Sequence, residues 1–419
     1  MCGISAFVTN IFNYRDEYID IIKKMNTSLS HRGPDFQDYW LEEKKGICFG
    51  HTRLSIQDLT TNGNQPMHSQ NKRFVMCFNG EIYNHFKIRE KIEKNINSSF
   101  EWKGTSDTET LLKSIEVFGF EKTLSLINGM FAICLYDKKK EKLYLSIDRF
   151  GEKPLYFGYI NNSFVIGSEL KVFKKFKDFN NSIDRESLDD FLRYSCVRAP
   201  KTIYKNIFKL EQGSMLEITL DDIFKNIFDN NLINHKFYKF RWKSKNTIID
   251  SRDKKFKDYE YAKTIVEDTL SDSVRSQLIS DVPLGSFLSG GIDSSLITAL
   301  MCNESINKVK TFTIGFNDNA YDESKYAKKI SKILGTEHYD TILSPHETLS
   351  IIPNLASIYD EPFADSSQLP TILLSQFAVK NVKVALSGDG GDELFGGYNR
   401  YFWINKIWKY FSWMPFPLR

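Results

Sequence analysis

The 419-residue chain is too long for one ordinary domain, so two or three are expected. With 41% hydrophobic and 26% charged residues, and a net charge of +3 on 56 basic and 53 acidic side chains, it has a globular composition with no general basis for nucleic-acid or membrane binding. The six cysteines (Cys2, Cys48, Cys77, Cys134, Cys196, Cys302) form no paired or C-x-x-C pattern, which points to neither a disulfide framework nor a cysteine-type zinc site. The sequence shows no signal-peptide pattern and no apolar run of transmembrane length, so a reducing cytoplasm is the expected compartment.

The chain opens Met1-Cys2-Gly3-Ile4. Removal of Met1 would leave a thiol and a free α-amine on one residue. An ordinary α-amine titrates at ~7.7–8.0 and can take the thiol proton near neutral pH, so such a cysteine needs no histidine as its base. Periodicity then predicts a helix over Glu17–Leu29 and strands over Gly46–Thr52 and Phe74–Phe78. A helix over Asp107–Phe118 follows. Four more strands are predicted over Met130–Tyr136, Leu143–Asp148, Leu155–Tyr159 and Ser163–Ser168, with the lysine-rich run 137–142 as a solvated hairpin tip. This pattern suggests stacked antiparallel sheets with helices outside. Leu220–Asp258 has little periodicity and reads as a connection carrying an insertion. Beyond it, helices (Tyr261–Leu278, Ser294–Cys302, Glu323–Leu334, Gln368–Lys380) alternate with strands (Leu284–Leu288, Val309–Phe316, Val382–Leu386). That alternation predicts a parallel, doubly wound sheet. Trp403–Trp413 reads as an apolar helix that wants a partner.

Four segments in the first half go with Cys2: His31-Arg32-Gly33-Pro34-Asp35, His51-Thr52-Arg53-Leu54-Ser55-Ile56, Phe78-Asn79-Gly80-Glu81-Ile82-Tyr83-Asn84 and Ser106-Asp107-Thr108-Glu109. Taken singly, each fits an ordinary use: Arg53 a surface ion pair, Asn79-Gly80 a hairpin turn, Asp107 a helix cap. Together and in this order, over about Cys2 to Leu216, they resemble the class II glutamine amidotransferase domain, an N-terminal-nucleophile (Ntn) hydrolase. The resemblance implies an αββα Ntn sandwich. It makes Cys2 the nucleophile that attacks the glutamine side-chain amide, with Asn79 and the Gly80 N–H as oxyanion donors. It also implies a glutamine-binding set of Arg53, Leu54, Ser55, Ile56, Asn79, Gly80, Glu81 and Asp107. In that set Arg53 clamps the substrate carboxylate and Asp107, near Glu81, takes the ammonium.

In the second half, Leu288-Ser289-Gly290-Gly291-Ile292-Asp293-Ser294-Ser295 follows a strand and opens a helix. Its glycines and exposed N–H groups suit an anion, and no Gly-Lys-Ser/Thr follows, so it is not a Walker A loop. A second loop, Ser387-Gly388-Asp389-Gly390-Gly391-Asp392-Glu393, also follows a strand. The first loop resembles the PP-loop of ATP pyrophosphatases. With the segments Tyr321-Asp322-Glu323-Ser324 and Tyr359-Asp360-Glu361-Pro362-Phe363-Ala364-Asp365-Ser366-Ser367, nearly the whole chain resembles the glutamine-hydrolysing asparagine synthetase family. The resemblance implies ATP contacts from Leu288, Ser289, Gly290, Gly291, Asp293, Ser294, Ile314, Ser387 and Gly388. It links Asp389, where many members carry Glu, to formation of β-aspartyl-AMP, and gives Mg²⁺, held through pyrophosphate, to Asp293 and Asp392.

The expected organisation is therefore a glutaminase domain over residues 2–216, a variable connection over 217–259 and a PP-loop α/β domain over 260–419. The family's pattern continues past the point where this sequence stops, so the last domain is expected to be incomplete. Glutamine, aspartate and ATP are the implied substrates, with ATP and Mg²⁺ as cofactors, no nucleic acid or membrane partner, and a homodimer as the assembly considered. Two alternatives stand beside this: a sister amidotransferase acting on another carboxylate, such as a sugar uronate, and a non-catalytic remnant that binds its ligands without turnover.

Overall fold

Alternation at the very start of the chain sets up the first architecture. Strand β1 (Gly3–Thr9) is buried throughout, and its side chains point to two different cores. Ile4, Ala6 and Val8 enter one apolar cluster, while Phe7 enters another on the opposite side. The same division recurs in β5 (Phe74–Ile82), where Val75 and Cys77 join the cluster of Ile4, and Met76 and Phe78 join a third.

A computed structural model describes residues 1–10, 15–225, 238–241, 258–318 and 322–418. The chain divides into two units, Met1–Lys255 with Pro353–Asp365, and Phe256–Ile352 with Ser366–Arg419. Among the described residues no helix is long and apolar enough to cross a membrane.

Among the described residues the first unit holds two antiparallel six-stranded sheets. One contains β1, β2 (Phe36–Glu42), β3 (Ile47–Arg53), β8 (Tyr156–Ile160), β9 (Ser163–Gly167) and β10 (Ile207–Lys209), in the order β10-β8-β9-β1-β3-β2. The other contains β4 (Met67–His68), β5, β6 (Gly129–Asp137), β7 (Lys142–Ile147), β11 (Ser214–Thr219) and β12 (Tyr238–Arg241), in the order β12-β11-β7-β6-β5-β4. Ile4, Phe49, Val75, Cys134 and Leu145 pack between the sheets. The outer face of the first is covered by the helix Arg15–Ser28 through Tyr18, Ile22 and Met25. The outer face of the second is covered by helices His85–Ile96, Asp107–Phe118 and Phe120–Leu126. These are the four layers, αββα, of an Ntn-type sandwich. Burial pushes the Cys48 thiol up to about 12 and the Cys77 and Cys134 thiols up as well, so these three behave as small apolar side chains.

Among the described residues of the second unit four parallel strands, β13 (Leu284–Phe287), β14 (Lys310–Phe316), β15 (Glu337–Leu343) and β16 (Val384–Leu386), lie in the order β15-β14-β13-β16. Val274, Leu300 and Met301 of helices Tyr259–Gln277 and Ile292–Glu304 form one cluster, and Ala378 of helix Gln368–Ala378 packs with Phe312 in another. The sheet is thus doubly wound, as expected. Since β14 lies on one side of β13 and β16 on the other, the chain reverses direction across the sheet beside β13, and ligands of such folds bind at that edge.

The helix predicted over Asp107–Phe118 is found at those bounds. Gly335 ends the helix Ser324–Leu334 in the left-handed conformation, φ 70°. Strands β1, β2 and β15 and helices His85–Ile96 and Arg185–Tyr194 were not anticipated. Of the predicted connection Leu220–Asp258, only a short helix Leu220–Phe224, Lys225, β12 and Asp258 fall within the described residues, and Tyr321 also lies outside them. Helix Asn399–Phe411 leaves Phe402, Trp403 and Trp408 exposed, in line with the apolar surface read at Trp403–Trp413.

Candidate active sites

The register of β1 on β3 brings Cys2 to the first site. Gly3 pairs with Thr52, so Cys2 lies beside the end of β3, where the Leu54 N–H donates to Cys2 Sγ at 3.4 Å. The second sheet supplies the opposite wall. Asn79, Gly80 and Glu81 are consecutive on β5, with Gly80 opposite Phe131 of β6. The strands approach so closely here that a Cβ on Gly80 would lie 2.1 Å from the Met130 carbonyl oxygen. Met1, Cys2, Arg53, Leu54, Ile56, Asn79, Gly80, Glu81 and Asp107 together line one cavity. Of the predicted glutamine-binding residues, Ser55 alone is outside that lining; its N–H donates to Asp35 Oδ2 at 2.8 Å and ties the two motifs together.

The electrostatics of the cavity are unusual. Burial, with the Asp107 charge beside it, pushes the Glu81 carboxyl well above the ordinary range. Burial likewise raises Asp107 to about 6, although the Ile82 N–H donates to its Oδ2 at 2.8 Å. Two buried carboxyls in one pocket favour a cationic ligand that would let both ionise. Burial raises the Cys2 thiol and lowers the Met1 α-amine to about 6. Asn79 is buried, and among the described residues its Nδ2 has no hydrogen-bond partner. A buried amide N–H without an acceptor costs free energy on the order of 1–3 kcal/mol, which a ligand oxygen would recover.

Arg53 is more committed than the sequence suggested. Its Nη1 donates to Thr60 O at 2.7 Å and Asn64 Oδ1 at 2.8 Å, and its Nη2 donates to the Gln57 and Asp58 carbonyls. A two-pronged grip on a carboxylate therefore requires exchange of some of these bonds. His51 sits opposite Ile4, with Nε2 3.0 Å from Phe78 O, and burial lowers it to about 4, which leaves it neutral and structural.

Sequence reasoning missed Gln57, whose Nε2 donates to Glu81 Oε2 at 2.5 Å, and also Lys153, Thr108 and Met130 in the cavity wall. Lys153 lies in the turn between the predicted strands Leu143–Asp148 and Leu155–Tyr159, where periodicity marks no site. Its backbone N–H and those of Phe131, Phe150 and Glu152 all donate to the buried Asp148 carboxylate, which folds the turn that aims it inward.

In the second unit Ser289, Gly290 and Gly291 bridge β13 to the helix Ile292–Glu304. Ser289 and Ser294 hydroxyls meet at 2.9 Å, and the Gly291 N–H donates to Ser289 Oγ at 3.1 Å. The loop after β16 closes onto this one. A Cβ on Gly388 would lie 2.8 Å from Ser294 N, and one on Gly391 would lie 2.6 Å from Asp293 Oδ2. Ser387 Oγ donates to Asp389 Oδ2 at 2.9 Å. Leu288 is tied to β14 by its N–H to Phe312 O at 3.0 Å, and Ile314 lies further along β14, paired with Thr341. The predicted nucleotide residues on the two loops thus meet at the carboxyl edge of the sheet. Among the described residues no three histidine, cysteine or acidic side chains gather as a metal centre. The Asp293 carboxylate lies against Gly391 and would suit a Mg²⁺ carried by phosphate, while the Asp392 carboxylate, in the same loop, lies against Gly397.

The family described as "Glutamine amidotransferase domain" matches residues 1–228, and "Asparagine synthase" matches residues 265–419. The chain is 35% identical over 418 residues to the putative asparagine synthetase [glutamine-hydrolyzing] 2 of Methanocaldococcus jannaschii, covering 95% of this chain and 76% of that one. The chain belongs to the glutamine-hydrolysing asparagine synthetase family. Asparagine synthetase [glutamine-hydrolyzing] 1 of Bacillus subtilis is 36% identical over 404 residues, 96% of this chain. This member of the family spans only 59% of that relative's length. The Bacillus subtilis glutamine PRPP amidotransferase structure matches with TM-score 0.38 and 15% identity, over 83% of this chain and 70% of that one.

Proposed function

We propose that the chain is a glutamine-dependent asparagine synthetase acting in the cytoplasm, where a reducing environment keeps Cys2 a thiol. The glutaminase half is assigned to residues 2–216 and the synthetase half to 260–419, joined by the variable stretch 217–259. The observation that carries the reading is the unpartnered, buried Asn79 amide in the cavity that also holds Cys2, Glu81 and Asp107.

The chemistry follows from these positions. After loss of Met1 the Cys2 α-amine takes the thiol proton, and the thiolate attacks the glutamine side-chain carbonyl carbon. Negative charge develops on the carbonyl oxygen, where Asn79 Nδ2 and the Gly80 N–H donate. The protonated amine returns its proton to the departing ammonia, leaving a thioester on Cys2. Water, deprotonated by the same amine, then releases glutamate. Asp107 and Glu81 hold the substrate ammonium, and Arg53 its carboxylate. In the other half the facing loops Ser289–Ser294 and Ser387–Asp392 bind ATP, with Leu288 and Ile314 against the nucleoside. Asp293 and Asp392 would hold Mg²⁺, which would supply positive charge to neutralise the pyrophosphate. The aspartate β-carboxylate attacks the ATP α-phosphorus and displaces pyrophosphate, giving β-aspartyl adenylate, a step to which Asp389 contributes; ammonia then displaces AMP from the acyl carbon to give asparagine.

Replacing Asn79 with alanine tests the oxyanion role. It should lower kcat for glutamine hydrolysis by ~10²–10³, with a smaller effect on KM. Parental kcat in that variant would remove Asn79 from the mechanism.

The carboxyl pair gives a pH dependence. Ammonium binding needs the ionised form, and a raised acid stays protonated to higher pH. KM for glutamine should therefore be lowest well above pH 6 and climb as pH falls through about 6, where Asp107 takes up its proton. Asp107→Asn should raise KM at pH 8 and remove the Asp107 contribution to that rise. A KM independent of pH between 5 and 8 in the parent would contradict the assignment.

A further inference from the structure

The segment Tyr359-Asp360-Glu361-Pro362-Phe363-Ala364-Asp365 takes no part in the two nucleotide loops. It lies in the region matched by the asparagine synthase family, yet Pro353–Asp365 belongs to the first unit. Several contacts dock it there. The Ala364 N–H donates to Ser195 O at 2.8 Å, Phe363 bridges to Cys196, and the Ile203 N–H donates to Glu361 Oε2 at 3.2 Å. Glu361 also pairs with Lys209.

Asp360 makes a different kind of contact. Its Oδ2 accepts from the Lys171 N–H at 2.9 Å, and its Oδ1 lies 3.8 Å from Lys171 Nζ. Lys171 Nζ is in turn 2.5 Å from Glu169 Oε2. Glu169 Oε1 accepts from Arg32 Nη1 at 2.7 Å and lies 3.0 Å from His31 Nε2, and Arg32 Nε donates to the Cys2 carbonyl oxygen at 2.9 Å. Four charges alternate in sign from Asp360 to Cys2. Their side chains are 9% (Asp360), 17% (Lys171), 14% (Glu169) and 8% (Arg32) exposed. At that burial each charge depends on its neighbours, because an uncompensated one would be costly. The Arg32, Lys171 and His31 contacts accordingly hold Glu169 ionised, at about 2, against the opposing effect of burial.

We propose that Asp360 is a positioning residue for the nucleophile, acting through Lys171, Glu169 and Arg32 on the Cys2 carbonyl. With that carbonyl held and Gly3–Thr9 paired in the sheet, χ1 is the main freedom left to the thiol. Loss of the Asp360 charge loosens Lys171, lets Glu169 drift, and relaxes Arg32 on Cys2. Small misplacements of a reacting atom cost rate rather than substrate binding. The inference rests on Cys2 being the glutaminase nucleophile. It means that part of the nucleophile's support comes from the sequence of the second half.

The test uses the full chain with Asp360→Asn, Lys171→Met and the double variant, following both glutamine hydrolysis and alkylation of Cys2 by iodoacetamide. Asp360→Asn should lower kcat about tenfold with KM for glutamine unchanged, and should change the alkylation rate. In the Lys171→Met background Asp360→Asn should have no further effect, because the Nζ contact that passes the Asp360 charge to Glu169 is already removed, while the backbone bond to residue 171 persists in both. Glutamine turnover and alkylation at parental rates in Asp360→Asn, additive effects in the double variant, or a loss confined to KM would each overturn the proposal. If the parent hydrolysed no glutamine, the functional reading would fall, and the alkylation rates would still decide whether Asp360 acts on Cys2.

Discussion

Cys2→Ala is expected to abolish glutamine hydrolysis while leaving amidation supported by added ammonium salts at the parental rate. The proposed roles give the reason for both halves. Cys2 is the cysteine in the cavity with Asn79, Glu81 and Asp107, whereas Cys48, Cys77 and Cys134 are buried in apolar clusters. Removing the nucleophile of a hydrolase costs on the order of 10⁶ in kcat, far more than any loss of binding. The substitution removes one sulfur at the edge of β1, so the strand pairing of Gly3–Val8 with β3 should persist and thermal stability should change little. Ammonia added directly bypasses the thioester. Residual hydrolysis at a substantial fraction of the parental rate would mean that another group is the nucleophile.

Asp293→Asn is the second large effect. Asp293 sits in the first turn of the helix Ile292–Glu304, against Gly391 of the facing loop. An amide there loses the charge that suits Mg²⁺ while keeping the shape of the loop. Magnesium-dependent turnover of ATP should be lost, and glutamine hydrolysis should remain, because Cys2 lies in the other unit. In the parent, supplied with aspartate, ATP, Mg²⁺ and ammonia, the nucleotide products should be AMP and pyrophosphate. ADP and phosphate as the main products would overturn the assignment of Ser289–Ser294 as a pyrophosphate loop.

The residues proposed for the glutaminase site were legible as a group because they lie in short contiguous pieces of sequence that line one cavity. Asn79-Gly80-Glu81 is one strand end, Arg53-Leu54 another, and Asp107 the first residue of a helix capped by Ser106. Strand β1 was harder to see. Both of its faces are buried, so Gly3, Ser5 and Ala6 blur the alternation that marks a half-exposed strand. Strands β2 and β15 are sheet edges whose residues are mostly half-buried or exposed, with Gln37 and Asp38 exposed in one and Glu337 and Asp340 in the other, which weakens the signal in the other direction. Helix His85–Ile96 buries only His85, Ile88 and Ile92, and that is too few apolar positions to stand out. Gln57 and Lys153 were invisible as cavity residues because their placement depends on loops closing over β5, and Asp360 because its partner Lys171 lies 189 residues away. The commitment of Arg53 to the Thr60 and Asp58 carbonyls is likewise a matter of loop geometry that composition does not encode.

The central claim is that glutamine loses its amide at an N-terminal Cys2. The most direct measurement is intact-mass and peptide analysis of the protein after reaction with 6-diazo-5-oxo-L-norleucine, a glutamine analogue that alkylates an activated thiol. The account predicts one equivalent of adduct, on Cys2 of a chain that has lost Met1, blocked by excess glutamine and absent in Cys2→Ala. Adduct on any other residue, or active protein that still carries Met1, would contradict it.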